Sequence, residues 1–361
     1  MRLIHLLQRQ IRESIKNLST TLVILGVLFP VWSFAADTVV VGTWNVRQLS
    51  SIKAERKIDV VSEKTQMPVK EFISNWIQNR DVDVLAMQEV YEEHILSTDE
   101  RSHPMTLIRK VLPKHYKIIK GESIRAPIAK GKSKVWREYC PIVYNSKRVN
   151  CYTSKDSMVP TNLKNEKGGD IDELRRGHWA YCQTLDKKFD FVFTCLHLNY
   201  RYAKIDLEGL QTVIQSVLKA NIDLPKELSA SNRDFIFAGD FNLDRRTARA
   251  YGRWQMEVGD EEFVLDKVLP KFPAGTIWES KSFTKLKDIY NFEELSQRSA
   301  VIYDDVVGTP TVKESLISKQ VDPMLDSFFM NKKGLPDVEA LLSLSDHLPV
   351  LVEYDATSDT D

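Results

Sequence analysis

The chain has 361 residues, 43% hydrophobic and 28% charged, with Lys+Arg and Asp+Glu balanced at 50 each. Those proportions exclude collagen, coiled coil and disorder as whole-chain descriptions, and the length allows one large domain or two small ones. Zero formal charge excludes a strongly basic coating protein, although an enzyme acting on nucleic acid needs only a local basic strip.

Residues 1–35 read as an export signal. Arg2, Arg9, Arg12 and Lys16 outweigh Glu13, and an apolar run from Thr21 to Ala35 follows. That run is shorter than the roughly 20 residues of a membrane span. It ends in Ser33-Phe34-Ala35, with small residues at the −3 and −1 positions of a cleavage site. The expectation is a folded domain over 36–355, a polar tail over 356–361, and no stable membrane insertion once the signal is removed. The exported protein would be periplasmic or secreted. In an oxidising compartment Cys140, Cys151, Cys182 and Cys195 are candidates for disulfides. Four cysteines allow three pairings; the local pairs Cys140–Cys151 and Cys182–Cys195 are among them, and the sequence does not choose.

Beyond the signal, strand-like and helix-like segments alternate. Thr38 to Val46 is a β-branched run that predicts a buried strand. A polar stretch, 50–67, precedes Val69, Phe72, Ile73, Trp76 and Ile77 at helical spacing. Val82 to Met87 predicts a second buried strand, and Tyr91 to Lys114 reads mostly helical. Four strands in two hairpin-like pairs follow: Tyr139–Tyr144 with Val149–Ser154, and His178–Leu185 with Phe189–Leu198. Leu207–Leu218 predicts an amphipathic helix and Asp234–Gly239 another buried strand. The pattern weakens over 245–320, and Val321–Met330 and Pro349–Glu353 predict the last strands. Together these imply one layered α/β domain whose two sheets pack face to face.

Polar residues cluster where the apolar runs end: Trp44-Asn45, Gln88-Glu89, Leu196-His197, Gly239-Asp240-Phe241-Asn242 and Ser345-Asp346-His347. Asp and Asn are poor strand residues, so placing them after buried runs sets hydrated groups at a sheet rim. Singly, each has a plainer role. Asp240 and Asn242 could form a turn, Asn45 could cap a helix, and His197 could be a satisfied core histidine. Five such ends along one chain point instead to a polar cleft built from many strand termini.

This set resembles the endonuclease/exonuclease/phosphatase superfamily, of deoxyribonuclease I-like fold. The matching pieces are Thr43-Trp-Asn-Val46, Met87-Gln-Glu-Val90, Thr194-Cys-Leu-His197, Phe237-Ala-Gly-Asp-Phe-Asn242 and Ser345-Asp-His-Leu-Pro349, in the family's order. Trp136–Tyr144 is similar to a segment of secreted deoxyribonucleases in which an acidic residue precedes an apolar strand. Leu325-Asp326-Ser327 is similar to a late Asp-bearing strand, with Ser327 replacing the usual Arg. The resemblance implies an α/β (α+β) four-layer sandwich of two mostly antiparallel sheets with helices outside.

It also implies a divalent-metal-dependent phosphodiesterase, foremost a nuclease acting on DNA. Such an enzyme must neutralise an anionic phosphodiester, activate water and protonate the leaving oxygen. Glu89, with Asn45 and Asp346, would hold Mg²⁺, with Ca²⁺ or Mn²⁺ as alternatives. His197 and His347 would carry protons, oriented by Glu138 and Asp326. Asp240 and Asn242 would position water and phosphoryl oxygens. Arg176 and Trp136 would contact substrate. Tyr91 stands where the deoxyribonuclease I branch has a groove-reading Arg. His94, His103, His115 and His178 read as surface or structural residues. The alternatives are a lipid head-group phosphoesterase of the same fold and a non-catalytic binding module. The absence of an obvious apolar insertion hairpin disfavours the first, and joint retention of Glu89, His197, Asp240 and His347 disfavours the second.

Overall fold

The computed structural model describes residues 37–60, 65–93, 103–121, 123–125, 136–153, 178–197, 234–240, 254–258, 261–265, 304–308, 316–321, 340, 343–345 and 347–357. All of them belong to one compact unit, 36–361. The expected export signal, the Leu207–Leu218 helix, and Arg176, Asn242, Asp326 and Asp346 lie outside the described residues.

In chain order the strands are β1 (Thr38–Leu49), β2 (Lys57–Val60), β3 (Thr65–Pro68), β4 (Val84–Glu93), β5 (Tyr116–Ile119), β6 (Ile124–Arg125), β7 (Trp136–Tyr139), β8 (Ile142–Asn145) and β9 (Val149–Tyr152). They continue with β10 (His178–Thr184), β11 (Asp190–His197), β12 (Phe235–Asp240), β13 (Trp254–Val258), β14 (Glu261–Leu265), β15 (Asp304–Gly308), β16 (Leu316–Val321) and β17 (Val350–Asp355). The helices are α1 (Ser51–Glu55), α2 (Val69–Asn79) and α3 (Pro104–Val111).

Two sheets form the body. The first runs β16-β17-β1-β4-β7-β6, with β8 joining β4 to β5, and the second runs β15-β12-β11-β10-β9. Each holds a parallel pair, β1–β4 in the first and β11–β12 in the second, among antiparallel neighbours. The centre of the second sheet is buried on both faces, so Phe191-Val192-Phe193 and Phe235-Ile236-Phe237 are continuous apolar runs rather than an alternation.

β1 lies between layers, and its alternation sorts core from site. Trp44 points toward the helices, where its ring meets Trp76 of α2 at 5.0 Å. Asn45, the next residue, points toward the second sheet. α2 forms where the helical spacing predicts it and buries Val69, Phe72, Ile73, Trp76 and Ile77.

Two local expectations are corrected, and two segments gain detail. Tyr91 to Glu93 continue β4, and the described helix is confined to Pro104–Val111, started by Pro104 and capped by His103 Nδ1 accepting from Met105 N. The polar stretch 50–67 contains α1 and the β2–β3 hairpin. Strand β16 ends at Val321, where the predicted strand Val321–Met330 begins, and residues 322–330 lie outside the described set. The run 139–154 is no hairpin. Cys140 and Pro141 separate β7 from β8; β8 pairs with β4 and β5, while β9 pairs with β10 in the other sheet.

That crossover fixes the disulfides. Cys151 and Cys182 are register partners on β9 and β10 and form one bond; Cys140 and Cys195 form the other, between the two sheets. The local pairs do not form: Cys140 and Cys151 belong to different sheets, and Cys182 and Cys195, although on the β10–β11 hairpin, are out of register, facing Phe191 and His178 respectively.

Candidate active site

Both parallel pairs carry polar residues in their carboxyl-terminal halves. In β11–β12 the register makes His197 the direct neighbour of Asp240. This pairing depends on Gly239, where an added Cβ would lie 1.9 Å from Leu196 O. Only glycine permits that approach.

In β1–β4 the register holds from Val41↔Val84 to Asn45↔Gln88, then resumes at Leu49↔Val90. Three residues of β1 therefore face one of β4, a bulge-like break that re-aims side chains. Arg47, Gln48 and Glu89 adopt positive φ, at 43°, 52° and 58°. A non-glycine residue pays roughly 1–2 kcal/mol for that conformation, and such strain collects at functional sites. The freed amides hold the side chains of the site: Gln48 N donates to Glu89 Oε2 at 3.0 Å, and Arg47 N to Asn45 Oδ1 at 3.0 Å.

The two pairs meet at Asp240. Asn45 Nδ2 donates to Asp240 Oδ2 at 2.9 Å and to Glu89 Oε1 at 3.2 Å. His197 Nε2 lies 3.6 Å and His347 Nδ1 3.9 Å from that same Asp240 oxygen. The other ring nitrogen of His197, Nδ1, is 2.5 Å from Glu138 Oε1. His197, His347, Glu138 and Asp240 are all buried, whereas Glu89 is half-exposed at the rim.

Supporting contacts come from residues to which the sequence assigned no such role. Tyr91 is buried, and its hydroxyl donates to Glu138 Oε2 at 3.3 Å. It therefore supports a carboxylate rather than standing free at a groove. Tyr91 and Glu138 are cross-strand partners of β4 and β7, a relation invisible without the register. Ser345 Oγ donates to Asn45 O at 2.7 Å and accepts from His347 N at 3.0 Å, while Trp44 Nε1 donates to His347 O at 3.3 Å. The segment bearing His347 is thus pinned to β1. Beside Glu138, Tyr139 OH donates to Glu92 Oε2 at 2.5 Å; burial and then this bond push the phenol up to about 12.

The structure thus brings Asn45, Glu89, Glu138, His197, Asp240 and His347 together. Trp136 is the first residue of β7, two before Glu138. His103 and His178 are buried away from this cluster's hydrogen bonds, and burial takes each down to about 4.

Half-exposed Glu89 and buried Asn45 beside it carry hard oxygen donors. Among the described residues no three His, Cys, Asp or Glu side chains form a metal cage. Mg²⁺ does not need one, since it takes one or two carboxylates and keeps its waters, so the donor chemistry fits.

No family model and no curated protein matches the sequence. Solved structures do. An endonuclease/exonuclease/phosphatase family protein from Bacteroides thetaiotaomicron aligns with TM-score 0.50 at 16% identity, over 90% of this chain and 98% of that one. A mannosyl-6-phosphatase from the same species aligns with TM-score 0.48 at 17% identity, over 87% and 98%. An AP endonuclease from Archaeoglobus fulgidus aligns with TM-score 0.41 at 13% identity, over 88% and 99%. At these identities the likeness speaks to architecture, and by the first of them the chain has the endonuclease/exonuclease/phosphatase fold.

Proposed function

We propose that this protein is an exported, divalent-metal-dependent phosphodiesterase, a nuclease of deoxyribonuclease I type that hydrolyses DNA. The observation carrying this reading is His197, held at Nδ1 by Glu138 and facing Asp240 through Nε2. With the Nδ1 proton donated to Glu138, Nε2 is left as the basic nitrogen, and the buried carboxylate supports the imidazolium that forms on protonation.

Asp240 is the common neighbour of both imidazoles. Its Oδ2 is fixed by Asn45, and the 3.6 and 3.9 Å separations exceed direct hydrogen-bond length. That spacing makes Asp240 a close charge partner of both rings, able to orient a water beside them. One histidine would take the proton of the attacking water and the other would return a proton to the leaving oxygen. Glu89 and Asn45, with Asp346, would hold Mg²⁺, or Ca²⁺ or Mn²⁺. Bound there, the cation would neutralise phosphoryl charge.

Nucleic acid is the proposed partner, with Trp136 and Arg176 as its contacts. Tyr91, engaged with Glu138, supplies no groove contact, so single-stranded or distorted DNA is favoured over a regular duplex. Export is supported by the two disulfides, which persist in oxidising compartments. Parallel assays on plasmid DNA, single-stranded DNA, RNA and sphingomyelin, with Mg²⁺ and then with EDTA, test the reading. Cleavage of DNA lost in EDTA is expected; hydrolysis of sphingomyelin alone would replace the nuclease with a lipid phosphoesterase.

A further inference from the structure

Cysteines and proton-handling residues repeat one spacing on two strands. Glu138 and Cys140 are two residues apart at and just beyond the end of β7, and Cys195 and His197 are two apart at the end of β11. Side chains alternate along a strand, so each pair leaves its strand on one face. The pairs meet across the gap between sheets as consecutive rungs, one the Glu138–His197 contact and the other the Cys140–Cys195 disulfide.

Sheets packed face to face ordinarily lie about 10 Å apart. The Cα atoms of Cys140 and Cys195 are 5.9 Å apart. That is the ordinary span of a disulfide, so the bond keeps the two strand ends from parting at this point, and the covalent rung is adjacent to the hydrogen-bonded one. The sulfur is also tied to the strands bearing Asn45 and Glu89. Gln88 Nε2 contacts Cys195 Sγ at 3.4 Å, and Thr43 Oγ1 donates to Gln88 Oε1 at 3.0 Å. The Cys151–Cys182 bond, by contrast, joins two strands of one sheet.

We propose that Cys140 and Cys195 are positioning residues, whose disulfide sets the inter-sheet spacing that lets Glu138 orient His197. The proposal rests on the reading of His197 as a proton-transfer group. Opening the bond would let the two strand ends part and detune the imidazole without removing any reacting group.

The test uses the whole protein, with bis(p-nitrophenyl) phosphate as probe and kcat and KM measured separately. Cys140→Ala/Cys195→Ala should lower kcat about 10- to 100-fold with KM within about threefold, the scale of a small misplacement of a catalytic group. Cys151→Ala/Cys182→Ala should keep kcat within about twofold at a temperature where circular dichroism shows both variants folded. Glu138→Gln should cost about tenfold alone but under about threefold once the Cys140–Cys195 bond is gone, because the orientation it supplies is already lost.

Full kcat without that bond, equal loss in the two double variants, or an undiminished cost of Glu138→Gln would each overturn the proposal. If Cys140→Ala/Cys195→Ala does not fold, graded reduction of the native protein with thiol trapping and mass spectrometry replaces it. Activity should then fall with the opened fraction of Cys140–Cys195 while circular dichroism is unchanged; activity surviving that opening would contradict the role. His197→Ala separates the two claims. Were it fully active, the site reading and this proposal would both fall. Were it inactive while the open-disulfide protein kept full kcat, only the positioning role would fall.

Discussion

His197 has a carboxylate beside each ring nitrogen, and the two sides ask different things of it. Glu138 fixes the tautomer at Nδ1, and Asp240 supplies charge near Nε2. His197→Ala and His347→Ala should each lower kcat roughly 10²- to 10⁴-fold, as general acid–base groups do, with melting near that of the native protein. Because both would serve one transition state, the double variant should lose far less than the product of the single losses. Tyr91→Phe should cost up to about tenfold in kcat, since it removes a long hydrogen bond to the Glu138 carboxylate, worth about 1.5 kcal/mol. Outside the site, three buried ionisable groups contribute to stability against pH. His103 and His178, each held near 4, stay neutral in the fold while the unfolded chain binds protons below about 6.5. Between those values stability rises with pH. Asp83 opposes this: burial raises it to about 6 despite Arg148 at 2.9 Å, so stability falls with pH between about 4 and 6 on its account. Two groups against one leave a net gain of about 3 kcal/mol from these residues between pH 4 and 6.5. Urea unfolding at both ends of that window measures it, and His178→Gln should flatten the rise.

Elements contribute through breaks as much as through regularity. The β1–β4 bulge places Glu89 at positive φ and aims it at Asn45. Glu89→Gln keeps the shape but drops the charge, so Mg²⁺ half-saturation should rise about tenfold or more as the carboxylate ligand is lost; an unchanged Mg²⁺ titration would remove Glu89 from the metal site. At the β11–β12 pair, Gly239→Ala should destabilise by about 3 kcal/mol or more, since a methyl would have to displace backbone rather than a side chain. Thermal unfolding reads that loss. The contrast between these elements shows what was legible in the sequence. The Gly-Asp-Phe-Asn run announces both a close approach and its chemistry, and the continuous apolar runs at Thr38 and Asp234 announce buried strands. The bulge leaves no such mark, because neither Arg47, Gln48 nor Glu89 is a residue that favours positive φ. Only the register mismatch between two distant strands imposes it.

At the scale of the molecule, the expectation of two packed sheets matches the architecture, but the division of strands between them was not readable. A short turn between β8 and β9 looks like a hairpin locally. The chain instead changes sheets there, because β8 pairs with β4 and β5 and β9 pairs with β10. The cysteine pairing could not be chosen from spacing either: Cys140 and Cys151 fall on opposite sides of this crossover, and Cys182 and Cys195 are out of register on one hairpin. Asn45, Glu89, His197, Asp240 and His347 were legible because each belongs to a motif at the end of an apolar run, and Glu138 only through the resemblance of the segment before an apolar strand; the contacts of Tyr91 to Glu138 and of Ser345 to Asn45 were not, because they arise across strands. Removing the Cys151–Cys182 bond, whose ends are 31 residues apart, should cost about 3–4 kcal/mol through the entropy of the unfolded chain, read as a lower urea midpoint. The most direct measurement of the central reading is cleavage of single-stranded and plasmid DNA by the native protein and by His197→Ala, each in Mg²⁺ and in EDTA. Cleavage by the native protein in Mg²⁺, abolished by EDTA and reduced at least about 10²-fold by His197→Ala, is the expected result. Equal cleavage by His197→Ala, or undiminished cleavage in EDTA, would contradict a metal-dependent phosphodiesterase centred on that histidine.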